Sequence, residues 1–309
     1  MNNPWQNIKF YSYRVRLLAT ENIYLPNFSG STLRGAFGHA LRKVSCMSKM
    51  DNHQNCILKN KCPYFLSFET TRKDTPSGLR TYPHPFILEP PINTRKINAG
   101  NQFDFKFVLI GKAVNVLPYF ILAFNQMGSV GLGKGRGKFE LLDVSTYPQS
   151  RIIYNSKDND LTDGGDELSI KKMDIGNCIT LNFLTPTRLK EKGKYIMVPS
   201  FEAIVRASLR RMSLLANAYC DTELDLPYGE LIEEARSIRI VRDGTNPCII
   251  NRYSSRQERK VPLHGITGSV DYEGDFTPFA ELLDAIRWLH LGGATAFGFG
   301  NVKVERVEG

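Results

Sequence analysis

The sequence predicts an α+β fold built from two similar domains, and two observations lead to this prediction. An acidic, glycine-containing stretch at residues 156–169 has no apolar periodicity, which indicates an exposed linker. On either side of it the chain repeats one order: strand, helix, strands, helix, glycine-rich turn, strand. That is the βαββαβ order of a ferredoxin-like unit, in which two helices cover one face of an antiparallel sheet. We therefore predict tandem ferredoxin-like domains over residues 1–155 and 170–309.

Each predicted domain opens with a strand of alternating apolar residues, followed by an amphipathic helix. These opening elements are predicted at residues 8–17, 31–44, 178–183 and 201–219. Each domain then closes with an apolar helix, a glycine-rich segment and a last strand. The closing elements are predicted at residues 117–126, 128–137, 138–144, 279–289, 292–300 and 301–307. The similarity of the two closing segments is the best evidence for the internal repeat.

The glycine-rich segments suggest contact with phosphate groups. Glycine tolerates positive φ, and a run of glycines can direct backbone N–H groups at an anion. In the first segment Lys134, Arg136 and Lys138 add positive charge. The alternative is a helix-to-strand turn that needs glycine only for close packing, and neither segment matches a nucleotide-binding fingerprint.

The charge balance favours a polyanionic partner. Lys and Arg number 40 against 31 Asp and Glu, a net charge of +9. Nucleic acid would explain this excess, as would an anionic membrane, a ribosome-like surface or solubility alone. No run of about 20 apolar residues is present and the first residues do not resemble a signal peptide, so we expect a cytoplasmic protein with no membrane partner. Six cysteines are too sparse for a disulfide scaffold.

Three cysteines and a histidine form a candidate zinc site in the first domain. Cys46, His53, Cys56 and Cys62 follow the spacing C-x6-H-x2-C-x5-C within 17 residues. Zinc favours four such ligands, and a polar segment with few apolar residues gains stability from a metal. No open ligand position is evident, so we predict a structural zinc-binding insertion at residues 46–62. The alternative is a set of reduced thiols beside a surface histidine.

Several of these stretches resemble one protein family. The motifs are Gly-Ser-Thr-Leu-Arg-Gly-Ala-Phe-Gly-His-Ala-Leu-Arg at 30–42, Cys-Pro-Tyr at 62–64, Tyr-Pro-His-Pro-Phe-Ile-Leu-Glu-Pro-Pro at 82–91, and the two glycine-rich ends, including 290–300. Together they resemble the CRISPR-associated precursor-crRNA-processing endoribonucleases of the RAMP superfamily. The resemblance implies two RRM/RAMP-type domains and a partner that is CRISPR repeat RNA or crRNA, with other Cas effector subunits as further partners. It also implies cleavage without a catalytic metal, in which the RNA 2′-hydroxyl attacks the neighbouring phosphate and leaves a 2′,3′-cyclic phosphate.

Such a reaction needs a proton acceptor, a proton donor and cations near the phosphate. We predict His39 as the catalytic histidine, because the resemblance places one on the first helix and imidazole titrates near neutral pH. Arg42 and Lys43 follow it by one helical turn. Lys43 is therefore a further catalytic candidate. Tyr24, which precedes the helix, is another, because the resemblance implies a tyrosine that orients a proton. A histidine that only packs at the helix surface is the alternative reading.

The predicted RNA-binding residues lie on the first helix, in both glycine-rich segments and in a basic run after residue 251. They are Arg34, Arg42, Lys134, Arg136, Lys138, Arg252, Arg256, Arg259, His290, Gly298 and Gly300. A solvated hairpin tip would explain the basic run equally well, and His290 could cap the preceding helix.

Two other functions fit the same sequence. A non-catalytic RAMP subunit that holds crRNA in an effector complex would need the same fold and charge without a competent His39. A zinc-stabilised RNA-binding or ribosome-associated module with no CRISPR role would show no preference for repeat hairpins.

Overall fold

The computed structural model describes residues 3–47, 53–69, 82–92, 94–254 and 259–307. The chain divides into two compact units. The N-terminal unit comprises Lys9–Leu168 and Ala218–Cys220, and the C-terminal unit comprises Met1–Ile8, Ser169–Asn217 and Asp221–Gly309. In the described part of the chain, no helix has the length and apolar character needed to cross a membrane.

The N-terminal unit contains the two longer helices and the central strands that the sequence predicts, with several short strands between them. Its elements are β1 (Lys9–Ala19), β2 (Ile23–Tyr24), α1 (Gly30–Ser45), α2 (Pro63–Phe68), β3 (Phe86–Glu89), β4 (Lys96–Ile97), β5 (Gln102–Ile110), α3 (Leu117–Val130), β6 (Phe139–Thr146), β7 (Ile152–Asn155), β8 (Asp160–Leu161) and β9 (Leu168–Ser169).

The sheet of this unit runs in the order β3-β5-β1-β6-β7-β8, with β9 paired to β1. Strand β1 pairs antiparallel with both β5 and β6, so the first and last core strands are neighbours at the centre. Helices α1 and α3 pack against each other. Phe37 of α1 is fully buried between Phe86 of β3 and the α3 rings of Phe120 and Phe124, with centroid distances of 4.6 to 5.5 Å. The apolar face of α1 is thereby fixed toward the sheet, and its polar face points to solvent.

The C-terminal unit repeats this connectivity, and its two middle strands are longer than those of the N-terminal unit. Its elements are β10 (Cys178–Thr187), β11 (Lys190–Glu191), β12 (Lys194–Tyr195), α4 (Phe201–Tyr219), α5 (Tyr228–Arg236), β13 (Arg239–Ser254), β14 (Arg259–Glu273), α6 (Ala280–Leu289) and β15 (Val302–Arg306).

The main sheet of the C-terminal unit has the order β13-β14-β10-β15. Its first strand, β10, pairs antiparallel with β14 and β15, just as β1 pairs with β5 and β6. Strands β13 and β14 form a long antiparallel hairpin whose register continues from Arg239–Glu273 to Ser254–Arg259. Phe201, Phe276 and Phe279 form a buried aromatic centre with Tyr272. Both units therefore follow the βαββαβ order with the same strand neighbours.

The α+β class predicted from the sequence is confirmed, and the helix bounds agree closely. Helix α4 has the predicted bounds of residues 201–219. Helix α3 continues four residues beyond the predicted end at 126, because Met127 and Gly128 still face the core. A glycine on a buried helix face packs closely, so it does not end the helix there: Cβ at Gly128 would lie 2.2 Å from the carbonyl oxygen of Phe139.

Residues 156–169, predicted as an exposed linker, are all exposed or half-buried, and ion pairs attach this acidic stretch to the N-terminal unit. Arg151 forms ion pairs with Asp163 and Asp166, at N···O distances of 2.7 and 2.8 Å. Lys9 pairs with Glu167 at 2.9 Å, and the Tyr13 hydroxyl donates to the carbonyl oxygen of Gly164. Cations elsewhere in the N-terminal unit therefore hold the acidic stretch against the sheet, an interaction that local composition does not reveal.

Candidate functional site

His39 lies on the solvent-facing side of α1, opposite the buried residues Phe37 and Leu41. Of the five histidines, only His39 is exposed. In the described part of the chain its ring makes no hydrogen bond, ion pair or ring contact. Lys43, one turn further along, is exposed on the same side of the helix. An accessible imidazole beside a cation is thus available to a ligand in solution.

The other four histidines are occupied by packing or hydrogen bonding. The His53 ring is buried 5.1 Å from the Tyr64 ring, and His84 Nδ1 lies 3.0 Å from the carbonyl oxygen of Ser67. His264 stacks on Tyr195 at 5.0 Å. His290 has no exposed surface, and its Nδ1 lies 2.8 Å from the carbonyl oxygen of Phe299. Accessibility thus distinguishes His39 from the rest.

Arg34 and Arg42 of α1 lie near the aromatic side chains of α2. The Arg34 guanidinium lies over the Phe68 ring, with Cζ 4.5 Å from the ring centroid. Arg34 and Arg42 both favour ionisation of Tyr64, but burial outweighs them and the pKa of Tyr64 is raised. Both arginines are half-buried. These arginines therefore also serve to pack α1 on α2, in addition to any contact with RNA.

The first glycine-rich segment is bound to strand β2. The N–H of Lys134 donates to the carbonyl oxygen of Tyr24 at 2.9 Å. Gly133 has φ of +75°, and a Cβ there would lie only 2.1 Å from that same carbonyl oxygen. The Tyr24 side chain is 45% exposed, and Lys96 lies over its ring at 5.9 Å. The structure thus brings Tyr24 and Lys134 together, as two predicted site residues.

The three predicted cations of the first glycine-rich segment differ in whether they are paired with a carboxylate. Lys134 and Arg136 are exposed, and neither has an ion pair within the described residues. Lys138 is exposed as well, but its ammonium lies 3.6 Å from Glu21 Oε1 and its N–H donates to Glu21 Oε2. Lys134 and Arg136 are therefore the stronger candidates for contact with phosphate.

The second glycine-rich segment is built in the same way on the residue after β10. The N–H of Gly293 donates to the carbonyl oxygen of Arg188 at 3.0 Å, and a Cβ at Gly292 would lie 2.4 Å from that oxygen. Arg188 therefore occupies the position in the C-terminal unit that Tyr24 occupies in the N-terminal unit. Sequence reasoning missed Arg188, although Arg188, Lys190, Lys192 and Lys194 place four cations within seven residues.

His290, Gly298 and Gly300 lie in the interior, which corrects the prediction that they contact RNA directly. All three are buried, and His290 adopts a φ of +61° at the end of α6. The segment closes on itself through a hydrogen bond from the N–H of Leu291 to the carbonyl oxygen of Gly300. Their packing shapes the turn, and the side chains around it provide its accessible surface.

The basic residues of the β13–β14 hairpin are only partly described. Arg252 is half-buried, with Cζ 5.2 Å from the Phe297 ring centroid in the second glycine-rich segment. Arg259, at the start of β14, is exposed. Arg256 lies outside the described residues. The hairpin thus brings Arg252 onto the glycine-rich segment, a long-range contact within the C-terminal unit.

The four predicted zinc ligands line one pocket beside α2. Its walls include Cys46, His53, Cys56 and Cys62, with His53 and Cys56 buried and the other two half-buried. Among the described residues, however, no three His, Cys, Asp or Glu side chains are grouped closely enough to hold a metal ion. The predicted zinc site is not present as a formed ligand cluster in this conformation.

Two family models match consecutive parts of the chain. A model described as an N-terminal domain (AF_1859_N) matches residues 8–165, slightly more than half of the chain. A model described as CRISPR-associated endoribonuclease Cas6 matches residues 181–302. No curated protein sequence matches the chain.

Solved structures of low sequence identity share the fold over nearly the full length. Thermus thermophilus Cas6 (TTHB231) has a TM-score of 0.57 at 15% identity, covering 96% of this chain and 99% of that one. The product complex of TTHB231 has the same TM-score at 14% identity, covering 96% and 100%. A partial Cas6-RT-Cas1–Cas2 complex has a TM-score of 0.59 at 11% identity, covering 97% of this chain and 46% of that chain.

The duplicated βαββαβ order and its two glycine-rich segments define a protein of the Cas6/RAMP fold. The family matches cover both halves of the chain and agree with this architecture. The chain shares the fold of the solved Cas6 structures, and its residues 181–302 match the Cas6 endoribonuclease family model.

Proposed function

We propose that the protein is a metal-independent endoribonuclease that binds CRISPR repeat RNA and cuts it to crRNA. The observation that carries this proposal is the exposed His39 beside Lys43 on α1, the helix predicted to hold the catalytic histidine. Support comes from the match to the Cas6 endoribonuclease model and from the likeness to a Cas6 product complex. We further infer that each βαββαβ unit is a ferredoxin-like RNA-recognition module.

The proposed reaction is an internal transesterification. The 2′-oxygen attacks the adjacent phosphorus, the bond from phosphorus to the 5′-oxygen breaks, a base takes the 2′-proton, and an acid gives a proton to the departing 5′-oxygen. The products are a 2′,3′-cyclic phosphate and a 5′-hydroxyl. His39 has the chemistry to act in either proton step, since imidazole gains and loses a proton near neutral pH.

Two other side chains are proposed to assist. Lys43, exposed one turn from His39, would stabilise the extra negative charge that develops on the phosphate during attack. Tyr24 would orient a proton or pack against the RNA from its position beside Lys134. Lys134 and Arg136 would hold neighbouring phosphates, because they are exposed cations without a carboxylate partner in the described chain.

The decisive experiment is cleavage of labelled repeat RNA in EDTA by the parent protein and by His39→Ala. We expect one cut, a cyclic-phosphate end, and a loss of about 100-fold or more in rate for the variant with affinity retained. Leu122→Ala is the control, because Leu122 is an exposed residue of α3 without a proposed role.

Each departure from this result has a definite meaning. Cutting that survives in His39→Ala would assign catalysis to another residue. Cutting that requires added divalent metal would contradict metal independence. Binding without any cut by the parent would favour the subunit that holds crRNA.

We also propose that segment 46–62 binds one structural zinc ion. The support is its ligand chemistry: three thiols and one imidazole line a single pocket. Because no three of them are grouped in the conformation described, binding requires the side chains to converge.

Metal analysis of the purified protein tests this proposal. We expect about one zinc per chain in the parent, loss of that zinc in Cys56→Ser with Cys62→Ser, and a lower melting temperature for the double variant. Cys248→Ser, a thiol on β13, serves as the control. A parent protein without zinc, whose melting temperature does not change on adding zinc, would contradict the proposal.

A further inference from the structure

Three cations and three aromatic rings form two groups, one around Arg188 and one around Arg252, and both arginines contact the second glycine-rich segment, through Gly293 and Phe297 respectively. The two groups together consist of Arg188, Lys190, Tyr195, Arg252, His264 and Phe297. Its members come from four places in the C-terminal unit: the end of β10, the β11–β12 pair, the β13–β14 hairpin and the glycine-rich segment. Only Arg252 among them belongs to the RNA-binding residues predicted from the sequence.

The rings hold the guanidinium groups in place without neutralising them. Arg188 lies over Tyr195, with Cζ 5.1 Å from the centroid, and its Nη2 donates to the Tyr195 hydroxyl. Arg252 lies over Phe297 at 5.2 Å. Tyr195 is itself stacked on His264, and Lys190 approaches its ring to 4.6 Å. Cation–π contacts of this kind fix a cation while leaving its full charge in place.

Among the described residues, no carboxylate balances the charge of either arginine. Neither forms an ion pair with any residue that the structure describes. Arg252 is half-buried, and its Nε makes no hydrogen bond within the described chain. Burial and the nearby positive charge of Arg188 both lower the pKa of Arg252. Holding two like charges together in a partly desolvated place is unfavourable unless an anion joins them.

We propose that Arg188 and Arg252 form a phosphate-binding site that holds a backbone phosphodiester of the bound RNA. The planar donors of arginine suit phosphate oxygens, and the rings orient those donors in advance. The proposal rests on the proposed function for the identity of the RNA. By the internal repeat, this site is the counterpart in the C-terminal unit of the Tyr24–Lys134 contact.

The test is binding of labelled repeat RNA, in a His39→Ala background so that the RNA stays intact. We expect Arg188→Gln and Arg252→Gln each to weaken affinity about tenfold. Each should also reduce the slope of log K against log salt by roughly 0.7 to 0.9, the value for one phosphate contact. Arg188→Lys should retain the slope and lose part of the affinity, because charge remains while the fork of donors is lost.

Arg210→Gln is the matched control, since Arg210 is an exposed arginine of α4 in the same unit. Its affinity and slope should equal those of the background protein. An Arg188→Gln, Arg252→Gln double variant that remains folded and binds with unchanged affinity and slope would overturn the phosphate site. Failure of the proposed function has a different signature: the protein with an intact His39 would not cut, while the arginine variants would still weaken binding.

Discussion

Asp284 on α6 is a buried carboxylate, only 4% exposed, that accepts the N–H of Lys171 at 2.8 Å. Burial raises its pKa, and the hydrogen bond from Lys171 and the Arg287 charge oppose that rise only in part. The folded state therefore keeps its proton at pH values where the unfolded state has lost it. The stability that Asp284 contributes is full below its unfolded pKa of about 3.9 and is lost as pH rises through the higher folded pKa.

Asp284→Asn should remove this pH dependence, since an amide does not ionise. We expect the free energy of unfolding of the variant, relative to the parent, to increase as pH rises from about 3.5 toward 7. Each unit by which the pKa is raised corresponds to about 1.4 kcal/mol. Urea denaturation at several pH values measures the difference.

Asp275 provides a control of opposite sign. Its carboxylate accepts hydrogen bonds from Thr277, which lower its pKa. The stability that it contributes is therefore present above the unfolded pKa and is lost as pH falls. Asp275→Asn should differ most from the parent near neutral pH and least in acid. The same trend for both variants would contradict our assignment of Asp284.

For single residues, the sequence indicated which residue types were of interest but did not show whether their side chains are exposed or buried. His39 is predicted because the family resemblance places a catalytic histidine on the first helix, and its side chain is exposed. His290 was chosen because it borders the glycine-rich segment, yet its ring is fully buried. The ring of His290 is directed inward because it interacts with the carbonyl oxygen of Phe299. The position of that oxygen is set by the fold of the whole segment, so the sequence does not predict this contact.

Two glycines of the first glycine-rich segment, Gly133 and Gly135, allow the cost of positive φ to be distinguished from the cost of a steric clash. Gly133 and Gly135 both have positive φ, at +75° and +84°. A Cβ at Gly133 would lie 2.1 Å from the Tyr24 carbonyl oxygen, whereas nothing lies within 4 Å of one at Gly135. Alanine at either position carries the conformational cost of about 1–2 kcal/mol, but only Gly133→Ala also collides with backbone.

We therefore expect Gly133→Ala to lose more stability than Gly135→Ala, by about 2 kcal/mol or more, as measured by urea denaturation. RNA affinity should fall in Gly133→Ala too, since Lys134 would be displaced from Tyr24. Equal stability of the two variants would show that the close approach of Gly133 to strand β2 is not required for stability.

Elements with a strong apolar period were predictable, and those held by distant partners were not. The buried positions of α4 recur at helical spacing, so its bounds could be read directly. The acidic stretch has no such period, and its attachment depends on Arg151 and Lys9. The lengths of β13 and β14 were also missed, because the residues of β13 are largely exposed and the strand is supported by its pairing with β14.

The net charge of +9 has a consequence for the whole molecule. We expect cations near both glycine-rich segments to contact RNA phosphates. Three to five such contacts give a slope of log K against log salt of about −3. The affinity for repeat RNA should then fall about 60-fold between roughly 50 and 200 mM salt.

An RNA of scrambled sequence is the comparison for this measurement. It should show a similar slope at lower affinity, because phosphate contacts are independent of sequence. A slope near zero for the repeat RNA would mean that the positive charge serves solubility and does not meet phosphate.

The duplicated order of elements was the most predictable property of the whole chain. It depends on periodicity and on glycine-rich segments that recur, both of which are local signals. The residues that each unit takes from elsewhere in the chain were not predictable. The segment before Lys9 belongs to the C-terminal unit, where Trp5 is buried and Asn3 donates to Glu281 at 3.2 Å.

That arrangement sets an order of events on the ribosome. Strands β1 to β9 and helices α1 to α3 emerge early, so the sheet of the N-terminal unit can assemble while synthesis continues. The segment before Lys9 emerges earlier still, yet its partner Glu281 on α6 is translated near the end. The first part of the C-terminal unit to be made must therefore wait for the last, and a stalled or truncated nascent chain would leave Trp5 without its buried site.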